Sequence, residues 1–263
     1  MKVTLLGCGG SGGVPICSGV PGGNWGNCNP DNPKNRRRRV SILVEGKGQT
    51  ILVDTGPDLR QQLIDTDAEF IDAVLYTHDH ADHTHGLDEL RYMSYKAGGA
   101  IDAFMDETVR ESLTQRFPYA FCSSANPESQ YPAMLKDHLI DGPFMVGDIE
   151  VIPFVQNHGE INSMGYRFGD IAYSTDVVEL DERAFETLAG VKYWIVDCLR
   201  YDPHPSHAHF DKTMEWIERV KPKKAILTHM NQQVDYDDLL SKCPEGVEPG
   251  YDGMVIACGD DCA

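Results

Sequence analysis

The sequence predicts a single α/β domain over residues 1–263, of a kind that some schemes class as α+β. Short apolar runs typical of buried strands alternate with helix patterns along the chain, and several of these runs end directly in histidine or aspartate. No linker, low-complexity tract or internal repeat divides the sequence. The strand patterns lie at residues 3–7, 40–44, 50–53, 71–76, 149–155, 171–175, 193–197 and 225–228, and the helix patterns at 58–63, 86–95, 179–188 and 212–220.

The densest chemistry lies in residues 77–86, where four histidines and two aspartates follow a strand pattern. Open α/β sheets place ligands at the C-terminal ends of their strands. His78 and His80 stand two apart and can converge on one ion, while Asp82 and His83 are offset enough to face a second ion. Imidazole and carboxylate groups are ligands that borderline divalent metals prefer. The run therefore predicts a metal site at a strand end.

Three later residues close strand patterns in the same way. His158 follows the pattern at 149–155, Asp176 follows the one at 171–175, and His229 follows the last one. Each alone would be read as an ordinary buried histidine or a turn aspartate. As an ordered set behind the first motif, they favour a shared metal site, since a dinuclear site needs more ligands than one motif supplies.

The His-x-His-x-Asp-His spacing of residues 78–83 resembles the signature of the metallo-β-lactamase superfamily. Members of that superfamily are hydrolases with a four-layer αββα sandwich and usually one or two transition-metal ions. The resemblance implies two divalent ions, zinc or manganese, with Asp176 bridging them. It implies His78, His80 and His158 as ligands of the first ion and Asp82, His83 and His229 as ligands of the second.

The same resemblance assigns roles to two aspartates. Asp54 matches the superfamily's first motif and would stand behind the ligands, accepting an N–H from a ligating histidine. Members that hydrolyse β-lactams through two zinc ions typically place a cysteine near the bridging position. Asp176 therefore points away from antibiotic hydrolysis.

Two distant segments resemble one branch, the phosphonate-pathway phosphodiesterases that act on phosphoribosyl 1,2-cyclic phosphate. Residues 203–207 resemble the Pro-His-Pro-Thr-His run of that branch, and residues 249–254 resemble its Gly-Phe/Tyr-Asp-Gly-Met closure. In that branch the last histidine of the run stands over the substrate phosphate. Counting back from Phe210 selects His207 for this catalytic role, ahead of His209, and Asp82 is placed with it among the catalytic residues.

The chain departs from that branch in the loop at residues 14–35. Relatives of the branch hold a structural zinc there through a cysteine cluster, whereas this loop has only Cys17 and Cys28, and Gln232 replaces an expected histidine. We expect no structural zinc and other contacts that hold the loop. All eight cysteines are expected to be reduced thiols, since no C-x-x-C pair or export signal accompanies them.

Substrate contacts are less clearly marked. Arg36 to Arg39 form either a solvated basic edge or a phosphate contact through one or two guanidinium groups. Arg39 is the candidate from this run, and His209 and Asp252 are further candidates for substrate binding.

Charge limits the partners. The net charge of −18 repels a long nucleic acid, whereas two divalent ions can reverse the sign locally for a small phosphorylated metabolite or mononucleotide. The first apolar run is too short for a signal peptide, and no run approaches a membrane span. A cytoplasmic protein is expected, with no membrane partner, and a homodimer remains open.

The predicted activity is hydrolysis of a small phosphodiester, cyclic ones included, by a hydroxide that bridges two metal ions. Another hydrolase of the same fold, acting on thioesters, lactones or tRNA 3′ ends, would use the same ligands. A non-hydrolytic binding protein, similar to relatives in quinone-cofactor biosynthesis, is the second alternative. The full ligand set argues against it, because binding alone does not need seven ligands.

Overall fold

The computed structural model describes residues 1–121 and 132–257 and contains two seven-stranded sheets. The first sheet has the order β14-β1-β2-β3-β4-β5-β6, with β14 at one edge beside the N-terminal strand. Its strands are β1 (Lys2–Gly7), β2 (Ser41–Gly46), β3 (Gln49–Val53), β4 (Ala73–Leu75), β5 (Ile101–Met105), β6 (Leu135–Leu139) and β14 (Val255–Ala257).

The second sheet has the order β13-β12-β11-β10-β9-β8-β7, in which β10, β11, β12 and β13 run parallel to one another and β9 is antiparallel to β10. Its strands are β7 (Phe144–Val146), β8 (Ile149–Asn157), β9 (Asn162–Phe168), β10 (Ile171–Ser174), β11 (Tyr193–Asp197), β12 (Lys224–Thr228) and β13 (Val247–Pro249). The parallel strands end on the same side, which brings the residues that follow them together.

Seven α-helices join and flank the sheets in the described residues. They are α1 (Leu59–Asp65), α2 (Ala81–Thr84), α3 (Arg91–Ala97), α4 (Glu107–Arg116), α5 (Glu182–Leu188), α6 (Phe210–Val220) and α7 (Tyr236–Lys242). Two 3-10 turns, Pro33–Asn35 and Leu87–Leu90, complete the helical elements.

Side-chain alternation along the strands builds two apolar layers. In β2, Ile42 and Val44 belong to the core shared by both sheets, whereas Leu43 between them faces the helices of the first sheet. In the helix-facing layer Leu43 joins Leu59 and Leu63 of α1. The helices α5, α6 and α7 bury Leu188, Trp216 and Leu239 with the second sheet. Two sheets between helical layers confirm the αββα sandwich; a single domain over the full chain stays a prediction.

Several boundaries differ from the sequence patterns. The helix expected from residue 179 begins at Glu182, because the Asp181 side chain accepts the Ala184 N–H and fixes the helix start there. The pattern at 86–95 is divided between the second 3-10 turn and α3. The short helix α2, which carries Asp82 and His83, was not predicted.

A buried guanidinium ties the loop at residues 14–35 to the segment after β12. Arg37 is 2% exposed, and its Nη1 donates to the carbonyl oxygens of Asn231 (3.0 Å) and Val234 (2.7 Å). The Cys28 thiol also donates to Val234 O at 3.3 Å, and Asn35 Nδ2 donates to Asp235 at 2.7 Å. This arginine of the basic run therefore supports the fold and is not a solvated residue.

Two smaller expectations concern thiols and membranes. The thiols of Cys8, Cys17, Cys28, Cys198 and Cys243 are free, and Cys122, Cys258 and Cys262 lie outside the described residues. In the described parts of the chain, no helix has both the length and the apolar character needed to cross a bilayer.

The Arg37 contacts give a stability prediction. Arg37→Met should lower the free energy of unfolding by about 2–4 kcal/mol, because one buried and one partly buried carbonyl oxygen lose their donor. Arg36→Met is the matched control: Arg36 is exposed and lies over the Trp25 ring at 5.0 Å, so its loss should cost about 0.5–1 kcal/mol. Urea unfolding measures the free energy of unfolding of both variants. Equal losses would contradict the role of Arg37 in holding the loop at residues 14–35.

Candidate metal centre

The candidate centre lies where strands of both sheets end. Three of its residues, Asp54, Asp176 and His229, have φ angles of 64°, 53° and 59°, in the left-handed region that non-glycine residues seldom adopt. In each case the next amide is held by another segment: Thr55 N donates to His83 O at 2.7 Å, and Met230 N donates to Cys8 O at 2.9 Å. The third, Val177 N, donates to Asp197 Oδ2 at 3.0 Å. These bonds hold the strained turns in place.

One group of ligand atoms comes from His78, His80 and His158. One ring nitrogen of each lies within 4.8 Å of the others. His78 and His158 are buried, while His80 is exposed at the rim. Burial lowers the pKa of His78 and His158, so both rings are neutral and have a lone pair for a metal.

A second group comes from Asp82, His83 and His229, whose ligand atoms also lie within 4.8 Å of one another. His83 Nε2 is 3.4 Å from Asp82 Oδ2. Burial alone would lower the pKa of His83, but the carboxylates of Asp176, Asp54 and Asp82 raise it well above its ordinary value. The surroundings thus favour a positive charge at this position, which a divalent ion would supply.

Asp176 lies between the two groups. Its Oδ1 is 3.7 Å from His158 Nε2 and 3.4 Å from His229 Nε2, and its Oδ2 is 3.2 Å from His83 Nε2. Burial alone would raise the pKa of Asp176, but the imidazoles of His229 and His83 hold it well below its ordinary value. The carboxylate is therefore ionised and faces both groups.

Buried ring nitrogens without a hydrogen-bond partner show whether these residues fit a metal ion. The Nε2 atoms of His78, His83 and His229 are buried and have no hydrogen-bond partner in the described residues. Such atoms are costly unless a ligand satisfies them. On the opposite side of the rings, His83 Nδ1 contacts Asp54 at 2.8 Å and His158 Nδ1 contacts the Ser206 carbonyl at 2.7 Å. Acceptors at Nδ1 direct the Nε2 lone pair inward, as metal sites require.

A histidine and an aspartate stand beside these groups. His207 Nδ1 lies 3.1 Å from Asp197 Oδ2, and its ring stacks on that of His229 at 4.5 Å. Asp197 is fully buried at the end of β11, and burial raises its pKa. Sequence reasoning gave Asp197 no role. The available signal was a carboxylate that closes a buried strand pattern, the same signal that marked Asp54.

The three candidate substrate contacts have other partners. Arg39 Nη1 pairs with Asp58 at 3.2 Å. Asp252 accepts the amides of Cys8 (3.1 Å) and Arg38 (2.8 Å), and burial raises its pKa to about 6. His209 precedes α6 and belongs to none of the groups above. Their part in substrate binding stays a prediction.

Two cavities flank the centre. One of about 500 Å³ borders His80 and His158, and one of about 310 Å³ borders His207 and His229. A larger cavity of about 720 Å³ lies between α1 and α3, but it contains none of the ligand residues. The two smaller cavities are therefore the ones that border the candidate centre.

The family model of the beta-lactamase superfamily domain matches residues 49–230, which include all seven predicted ligands, and the chain belongs to this superfamily. The crystal structure of a new diphosphatase from the PhnP family is 31% identical, with a TM-score of 0.86, and the match covers 98% of this chain and 97% of that one. Within the superfamily the chain therefore belongs to the PhnP branch. The superfamily and the branch that the sequence resembles are both confirmed.

Two curated proteins add to this picture. An octanoyltransferase of Porphyromonas gingivalis is 31% identical over 258 residues, 97% of this chain and 51% of that protein, so this chain spans about half of its length. The anti-Pycsar protein Apyc1 of Paenibacillus harenae is 26% identical over 209 residues, 74% of this chain and 84% of the relative.

The contact between His83 and Asp54 gives a metal-affinity prediction. Asp54→Asn should weaken zinc binding about 10- to 100-fold, because a ligating imidazole loses the carboxylate behind it. Asp79→Asn is the matched control: Asp79 lies in the same histidine run but accepts from Ser112 at 2.6 Å and pairs with Arg116 at 3.0 Å. Competition with a chelating dye measures both affinities. Equal affinities in the two variants would remove Asp54 from the metal centre.

Proposed function

We propose that this superfamily hydrolase cleaves a small phosphodiester. The observation that carries the proposal is the position of the Asp176 carboxylate between two histidine-containing groups, with His207 stacked beside them. One carboxylate that faces two groups of ligands suits a pair of divalent ions that share it. Phosphoryl transfer benefits from such a pair, since charge lies on several oxygens at once.

His78, His80 and His158 would hold one ion and Asp82, His83 and His229 the other, with Asp176 shared. Bound divalent ions would activate water and neutralise charge on the phosphoryl oxygens. Asp54 keeps the His83 ring oriented through its contact at 2.8 Å. Zinc and manganese both suit these imidazole and carboxylate ligands.

His207 would act on the phosphoryl oxygens or on the leaving oxygen. Its Nδ1 faces the Asp197 carboxylate at 3.1 Å, which leaves Nε2 for the substrate. Asp197 in this position orients the His207 ring through Nδ1. Asp82, whose carboxylate belongs to the second ligand group, would bind metal and help to position the attacking water.

The size of the cavities supports a small substrate. Volumes of about 310 and 500 Å³ lie at the lower end of ordinary ligand pockets. A net charge of −18 disfavours a polyanion such as RNA, since only the local metal charge opposes the repulsion. A mononucleotide or a sugar phosphate is the favoured class. The similarity to a diphosphatase supports a phosphoric anhydride as a second candidate bond.

A substrate panel tests the proposal. Zinc- or manganese-loaded protein should hydrolyse bis(p-nitrophenyl) phosphate and be inhibited by mononucleotides, with two ions per chain by elemental analysis. Thioesters and lactones, offered in the same panel, should not be cleaved. Cleavage of precursor tRNA with a salt slope near −0.7 per neutralised phosphate would instead favour RNA processing. Activity with at most one bound ion would contradict the dinuclear arrangement.

His207 has its own test. His207→Ala should leave the metal content unchanged and lower kcat by about 10²- to 10⁴-fold, the usual contribution of a positioned acid or base. His209→Ala is the discriminating comparison, because His209 lies two residues away at the start of α6. Loss of metal in His207→Ala would make His207 a ligand, and a loss of activity confined to His209→Ala would reverse the assignment.

A further inference from the structure

The cavity of about 310 Å³ differs in charge from the rest of the molecule. The chain has 41 acidic and 23 basic residues, yet none of the described residues that line this cavity is acidic. Arg200, His204, His207 and Asn231 contribute polar walls, and residues 10–13, a glycine-rich turn that includes Ser11, also line the cavity. A carboxylate-free cavity in so acidic a protein suits an anion.

His204 presents a fixed hydrogen-bond donor there. Its Nδ1 accepts the main-chain N–H of Ser206 at 3.3 Å. An imidazole whose Nδ1 accepts a hydrogen bond carries its proton on Nε2. The His204 ring lies 5.1 Å from the His207 ring, and both line the cavity. The Nε2–H of His204 is thus available next to the reaction centre.

Other donors surround the same space. Arg200 donates from Nε to Asp202 O (3.0 Å) and from Nη2 to Pro203 O (2.7 Å), which holds the guanidinium beside the segment that carries His204. The glycine turn is closed by Gly13 N–H to Gly10 O at 2.8 Å. At its exposed tip, the amides of residues 11 and 12 bond to none of the described residues. Free amides in a tight turn are suited to an anion.

The cavity on the other side of the centre has a different character. Its walls include Ile161 and Pro205, and Glu160 adds a carboxylate. An anionic substituent would be repelled there and an uncharged one accepted. The two cavities therefore distinguish the two substituents of a phosphodiester.

We propose, on the basis of the function above, that the 310 Å³ cavity binds the leaving group, that this group carries a phosphoryl anion, and that His204 selects it by donating from Nε2. In this reaction the water oxygen bonds to phosphorus and gives up one proton to His207 or to solvent, and the bond from phosphorus to the leaving oxygen breaks. The leaving oxygen keeps the electron pair and takes up one proton where its basicity requires one, which His207 can deliver. His204 donates a hydrogen bond and transfers no proton.

Two substrates distinguish recognition of a phosphorylated leaving group by His204 from a general role of His204 in hydrolysis. ADP-ribose, a diphosphate diester, releases a phosphorylated leaving group, whereas bis(p-nitrophenyl) phosphate releases p-nitrophenolate. His204→Ala should lower kcat/KM for ADP-ribose about 10- to 100-fold, the effect of one hydrogen bond to a charged group. It should leave bis(p-nitrophenyl) phosphate hydrolysis and zinc content nearly unchanged. His204→Gln, whose amide nitrogen can occupy the Nε2 position, should restore most of the loss.

His138→Ala is the matched control, since His138 pairs with Asp102 at 2.7 Å outside the site and should leave both reactions unchanged. An equal loss with both substrates, or no loss with ADP-ribose, would overturn the assignment of His204. Imidazole ¹⁵N spectra of the zinc-loaded protein give a readout without turnover: His204 should show the Nε2–H form. A proton on Nδ1 would overturn the proposal as well.

Failure of the proposed function gives a different pattern. If the wild-type protein hydrolyses neither diester, the hydrolase assignment fails. Calorimetry of AMP binding then tests whether the 310 Å³ cavity binds an anion. Weaker binding in His204→Ala than in wild type supports the cavity assignment, and equal binding overturns it.

Discussion

A buried carboxylate is the constraint on which the rest of the structure depends. Asp176 is 2% exposed, and an ionised carboxylate in such surroundings costs several kcal/mol unless cations and donors surround it. The Nε2 atoms of His83, His158 and His229, from separate segments, lie within 3.7 Å of its oxygens and surround the space where divalent ions would balance its charge. Since β4 belongs to one sheet and β8 and β12 to the other, the anion is tolerated only when both sheets are in place. The site and the sandwich therefore depend on each other.

The signal from which the sequence predicts this centre is local. A ligand-capable residue that directly follows an apolar run is visible without any tertiary information, and His158, Asp176 and His229 were all found in this way. The strand patterns themselves were reliable because alternation in β2 and β3 separates two buried faces. Patterns also failed locally: α2 is a four-residue helix, too short to have a periodic signature.

The contacts that sequence reasoning did not predict join residues that are distant in the chain. Arg37 meets Val234 and Asp252 meets Cys8, contacts that no local pattern can indicate. Asp197 carried the right local signal, but its role depends on His207, which reaches it from the loop before α6. The left-handed backbone conformation at Asp54, Asp176 and His229 was not predicted either. Glycine in a sequence often indicates this conformation, whereas aspartate and histidine do not.

The glycine turn near the N-terminus connects these observations. A Cβ at Gly7 would lie 2.1 Å from Arg39 O, and one at Gly9 would lie 2.9 Å from the Arg37 Cβ, so side chains are excluded by close approach of the backbone. That approach allows Cys8 O to accept the Met230 amide at 2.9 Å, immediately after His229. Asp252 holds the same segment through the Cys8 amide. The position of one predicted metal ligand is therefore set by packing of residues 7–9 against the segments of Met230 and Asp252, and this close packing explains the glycines at positions 7 and 9.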